Sequence, residues 1–100
     1  MITQQATGIK ENVINEIADI ANRCQVDRVV LFGSRARGDF KERSDIDLAV
    51  YGGQVTDFTL MVDEETSTLL MFDIVDMGIC RDEALRESIE RDGRTIYEKV

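Results

Sequence analysis

Ile9, Val13, Ile17, Ile20 and Cys24 recur at steps of four, four, three and four along the first quarter of the chain. That spacing places them on one stripe of a helix over about residues 8–23, with Thr7 placed to cap it. The period then changes. Residues 26–32, VDRVVLF, form a short β-branched run that stops at Gly33 and reads as a buried strand. Gly33 and Gly38 bracket SRAR, a tight turn into a short helix, and residues 39–44 form a polar loop. Over residues 45–51 polarity alternates, with Asp45, Asp47 and Ala49 on one face and Ile46, Leu48 and Val50 on the other. This predicts a second strand.

Gly52-Gly53 ends that strand. Residues 55–67 suit a helix with Phe58, Val62 and Leu69 on one side, and residues 68–76, TLLMFDIVD, predict a third strand. A last helix is predicted over residues 81–92: Asp82 and Glu83 stand in its first turn, Leu85 and Ile89 are four apart, and Gly93 follows as a stop. Ile96 and Tyr97 then pack the tail back on the core. Phe58, Met61 and Met77 are assigned to the core before a partner surface. With no proline, repeat or low-complexity segment, the order describes one α/β domain with a small sheet, covering residues 1–100.

Composition narrows the chemistry. One hundred residues build one core and leave no room for a separate substrate domain, so work on a large substrate calls for a partner. No apolar run reaches the roughly 20 residues of a membrane span, and the polar start does not resemble a signal peptide. The cytoplasm is the expected compartment. Cys24 and Cys80 sit in no Cys-x-x-Cys pattern and read as small buried hydrophobes. The chain has no histidine, which excludes Ser-His-Asp and Cys-His catalysis and His-ligated zinc. Carboxylates must carry any catalysis.

The net charge is −8, with seven Lys/Arg against eight Asp/Glu in residues 1–52 and five against twelve in residues 53–100. A net-acidic chain is a poor general nucleic-acid binder, so none is expected. Between Gly33 and Arg43 the balance reverses locally: Arg35, Arg37, Lys41 and Arg43 outnumber Asp39 and Glu42.

Strand geometry brings Asp45 and Asp47 to one face with Cβ atoms roughly 7 Å apart or less, where two carboxylates repel. Two solvent-facing aspartates on an edge strand would fit the tripeptide alone. Magnesium also fits, because it takes carboxylate oxygens and shares its shell with phosphates. Asp73 adds weight to the metal reading. It lies inside the apolar run LLMFDIV, where an aspartate is costly unless paired or ligating, and three carboxylates can hold two metal ions. Asp76 is three residues on, an odd step, and is assigned to a cap or the surface.

Gly33 directly follows a strand and lacks a Cβ, so its backbone can approach a ligand closely. Ser34 adds a hydroxyl, and Arg35 and Arg37 can neutralise phosphate, although both also fit as solvated loop charges. A P-loop fails because Asp39-Phe40, not Lys-Ser/Thr, follows Gly38. A nucleophile elbow fails because Ser34 directly follows Gly33 and nothing can activate it. A phosphoaspartyl phosphatase reading of DIDLA leaves the glycine-serine-arginine loop without a role.

Gly33-Ser34, ten residues, then Asp45-x-Asp47 resembles the signature of the DNA polymerase beta-type nucleotidyltransferases. LFGSRARGDFKERSDIDLAV with the later FDIVD resembles the minimal nucleotidyltransferases in particular. The resemblance implies an α/β (α+β) nucleotidyltransferase fold with a small mixed sheet flanked by helices. It also implies transfer of a nucleoside monophosphate, AMP from ATP, to a hydroxyl. Gly33, Ser34, Arg35 and Arg37 would bind the nucleotide; Asp45, Asp47 and Asp73 would ligate two Mg2+ ions, Asp73 also helping to deprotonate the acceptor. The implied partner is a helical HEPN protein, whose tyrosine would receive AMP from this chain acting as antitoxin. Two alternatives stand beside it: an antitoxin that only masks its partner, and a catalytic subunit acting on a small-molecule alcohol.

Overall fold

The computed structural model describes residues 7–100. Helix α1 (Glu11–Arg23) lays the Val13, Ile17 and Ile20 stripe against the sheet, as the four-three spacing requires. It starts later than its apolar pattern because Gly8 turns at φ 72°, and Lys10 takes the N-cap position without a side-chain bond. Thr7 therefore does not cap α1; its hydroxyl accepts instead from the Ile9 N–H at 3.1 Å.

β1 (Arg28–Phe32) runs into the one-turn helix α2 (Ser34–Arg37), and β2 (Ile46–Tyr51) returns antiparallel to β1 with Phe32 opposite Asp47. α3 (Val55–Glu65) follows, then β3 (Phe72–Asp76), which lies parallel to β2. α4 (Glu83–Asp92) is capped by Asp82, whose carboxylate accepts from the Leu85 N–H, and ends at Gly93. The tail forms β4 (Arg94–Glu98), antiparallel to β1 with a register shift beside Val29 and Val30. The sheet order is β3-β2-β1-β4, a mixed sheet with β3 at one edge.

Alternation along the strands covers both faces. Val29, Leu31, Ile46, Leu48 and Val50 pack with α1 and with Phe58 and Val62 of α3. Val30, Phe32 and Ala49 pack under Ile89 of α4, with Met77 beside them. Full burial of Phe58 and Leu48 contributes about 1.5–3 kcal/mol each.

Three expectations need correction. The third strand begins at Phe72 rather than residue 68, because the Thr68 hydroxyl accepts from the Leu70 N–H and turns the chain locally. Leu69 accordingly points fully into solvent instead of joining Phe58 and Val62. The tail is a strand, where only the packing of Ile96 and Tyr97 was foreseen.

Candidate active site

β2 and β3 bring two of the carboxylates together. Asp47 and Asp73 are direct partners in the parallel register, and Asp45 immediately precedes β2. Asp47 lies two residues before Ala49 on the same sheet face, just beyond the part that α4 covers. It is partly buried, whereas Asp45 and Asp73 are exposed. Burial, then the charges of Asp73 and Asp45, push the Asp47 carboxyl up to about 6, with Arg37 and Arg35 opposing. The three carboxylates thus share one electrostatic neighbourhood. Among the described residues no group of three acidic or cysteine side chains converges, as it stands, on a point that would hold a metal. Asp76 turns to its own backbone and accepts from the Gly78 N–H at 2.9 Å.

Gly33 closes the site from the other side. It holds φ 73° and ψ −155°, and a Cβ added there would collide with the Asp47 carboxylate. The β1–α2 turn therefore passes directly over Asp47, which only glycine permits. Behind it, the Ala36 and Arg37 N–H groups both donate to the Gly33 carbonyl at 3.1 Å, and the Gly38 N–H donates to the Ser34 carbonyl at 2.8 Å. Ser34 is partly exposed beside this turn.

The two arginines part company. Arg37 is exposed, pairs with Asp39 at 3.4 Å, and its charge is felt at Asp47. Arg35 is 1% exposed, and its three guanidinium nitrogens donate to the carbonyls of Thr7, Glu42 and Ser44. Neither a solvated charge nor a guanidinium free to grip phosphate describes it. The signal that could have revealed this is Phe40, an aromatic residue in an otherwise polar loop, over which the Arg35 guanidinium stacks at 4.9 Å.

The hollow of about 480 Å³ lined by Asp27, Arg28, Tyr51 and residues 98–100 lies at the opposite end of β1 and β2. Of the three carboxylates, Asp45 and Asp73 are exposed and Asp47 is partly buried.

A four-stranded mixed sheet with a glycine turn set over paired strand carboxylates defines a nucleotidyltransferase-type domain. The chain matches the family described as polymerase beta, nucleotidyltransferase, over residues 15–100, and it belongs to that family. It is 33% identical over 84 residues to the "Putative protein adenylyltransferase" of Methanocaldococcus jannaschii, covering 75% of this chain and 82% of that protein. The solved structure of a "putative minimal nucleotidyltransferase" superposes with a TM-score of 0.60 at 30% identity, covering 81% of this chain and 86% of the other. A toxin–antitoxin structure with AMP-PNP gives 0.65 at 20% identity, and a MntA–HpeT toxin–antitoxin structure 0.66 at 18%. Each of the latter two covers 86% of this chain and 73% of the other, and supports the fold. The protein is a nucleotidyltransferase, with toxin–antitoxin proteins among its structural neighbours.

Proposed function

We propose that this chain transfers AMP from magnesium-bound ATP to a hydroxyl on a separate protein, a tyrosine of a helical HEPN toxin, and acts in the cytoplasm as its antitoxin. The observation that carries this reading is the apposition of Gly33 and Asp47, with Asp73 in register beside them. Gly33 and Ser34 would receive the triphosphate, and Arg37 would offset its charge.

The residues fit magnesium chemically. Asp45, Asp47 and Asp73 supply hard oxygen donors, and burial, then the charges of Asp73 and Asp45, raise the Asp47 pKa, a cost that a cation would offset. Asp45 and Asp47 would hold the ion, and Asp73 would complete a site for two. Held there, magnesium would offset the negative charge of the triphosphate and of the departing pyrophosphate. Asp73 would take the proton of the acceptor hydroxyl as that hydroxyl's oxygen bonds to the α-phosphorus and the α-phosphorus–oxygen bond to the β-phosphate breaks, releasing pyrophosphate.

The exposure of Asp73 on an edge strand supports an acceptor delivered by another molecule. Similarity to an adenylyltransferase supports AMP as the group moved, and the toxin–antitoxin neighbours support a toxin as the acceptor. Replacing Asp45 and Asp47 together by Asn tests the reading. Loss of both magnesium-dependent ATP turnover and toxin neutralisation is expected; neutralisation that survives the double substitution would favour masking instead.

A further inference from the structure

Arg35 is the most buried charged side chain among the described residues, and the transfer chemistry above gives it no task. Its surroundings do. The guanidinium gathers three carbonyls from two places: Thr7 at 2.9 Å from the segment before α1, and Glu42 at 3.1 Å and Ser44 at 3.0 Å from the loop that leads into Asp45. One flat face stacks on Phe40 of the same loop. Gly8 closes over the assembly: a Cβ there would strike both the Phe40 ring and the Arg35 guanidinium, and its φ of 72° also favours glycine. Burial lowers the arginine's pKa, but the charges of Asp45 and Asp47 oppose the shift and help keep it cationic.

We propose that Arg35 is a positioning residue: from the turn that bears Gly33 and Ser34, its fork holds residues 40–44 and so fixes Asp45 relative to Asp47. This rests on the reading of those residues as the nucleotide and metal site. The geometry suits arginine alone, since a planar fork can reach three carbonyls while an ammonium on a flexible stem cannot match both the fork and the stacking. Loop residues 40–44 have few other ties; the Ser44 N–H donates to the Lys41 carbonyl, and the Ser44 hydroxyl accepts from the Lys41 N–H. The Gly33–Gly38 turn, by contrast, keeps its own backbone bonds without the Arg35 side chain. Loosening the clamp should therefore disturb Asp45 more than the triphosphate cradle.

The test compares Arg35→Lys and Gly8→Ala with the unaltered chain, the first keeping the charge but losing the fork, the second disturbing the clamp while leaving the Arg35 side chain itself in place. Two readouts are taken below the unfolding transition of each: amide hydrogen exchange of residues 40–45 without nucleotide or metal, and the kcat and KM of AMP transfer. In both variants exchange should quicken and kcat should fall about tenfold or more, while KM for ATP shifts less than about threefold. A raised KM with unchanged kcat in Arg35→Lys alone would make the residue a direct phosphate ligand and overturn the proposal. Faster exchange with unchanged kcat would reduce it to a stabilising contact and overturn it equally. Exchange unaltered in both variants would show that there is no clamp. An unaltered chain that transfers no AMP would sink the proposed reaction, and the exchange readout, taken without substrates, separates that failure from failure of the clamp.

Discussion

Asp47 and Asp73 stand side by side on parallel strands, and the Gly33 backbone lies against the first of them where a side chain would collide. Burial first, then the neighbouring charges of Asp73 and Asp45, raise the cost of ionising Asp47. The fold thus maintains a locally unfavourable charge arrangement, as functional sites commonly do.

That arrangement has a pH signature. The Asp47 carboxyl titrates near 6 in the folded protein against an ordinary value of 3.8, so folding favours its protonated form. Its contribution is fully present below pH 3.8 and is lost as pH rises through about 6. Asp47→Asn should therefore stabilise the metal-free protein at pH 7 by about 1–2 kcal/mol, allowing for solvent screening, and by nearly nothing at pH 4. Urea titrations at the two pH values check this.

Magnesium should reverse the effect. Added to the unaltered protein at pH 7, it should raise the melting temperature, and it should do so far less in Asp47→Asn, since an ion that binds only the folded state stabilises by mass action. Calorimetry with and without a chelator provides the comparison.

Gly33→Ala should cost about 1–3 kcal/mol, because it combines a left-handed φ with a Cβ driven into the Asp47 carboxylate. AMP transfer by the folded fraction should also fall, since relief requires either the turn or Asp47 to move. Gly38→Ala is the contrasting substitution: its φ of 95° also strains alanine, but nothing lies within 4 Å of the new Cβ. It should lose stability while keeping more of its activity.

The strands and helices on the strict periods were legible in the sequence, because α1 buries one regular stripe and β2 a regular face of Ile46, Leu48 and Val50. The register that sets Asp73 beside Asp47 was legible from the two strands, but the reason given for Asp73 was not met: LLMFDIV reads as a buried run, whereas Asp73 is exposed because β3 lies at the edge of the sheet. β4 was not legible: RTIYE is a five-residue, half-polar strand that owes its existence to the open edge of β1, a tertiary fact without a local pattern. Nor was the burial of Arg35. A basic residue in a polar loop reads as solvated, and only the folded chain brings Thr7, Phe40, Glu42 and Ser44 around it.

Arg86 offers a control remote from the carboxylates. It donates to the carbonyls of Met77 and Cys80 and ties α4 to the turn after β3. Arg86→Ala should cost about 1–3 kcal/mol of stability, readable by denaturant titration, with kcat of the folded fraction unchanged.

On the proposed reading the Asp45, Asp47 and Asp73 residues transfer AMP to a partner protein, and mass spectrometry of the proposed helical toxin co-expressed with this chain is the decisive measurement. Toxin carrying AMP on a tyrosine is expected with the unaltered chain, and unmodified toxin with the Asp45→Asn, Asp47→Asn double variant. Toxin that is neutralised yet carries no AMP in either case would contradict it.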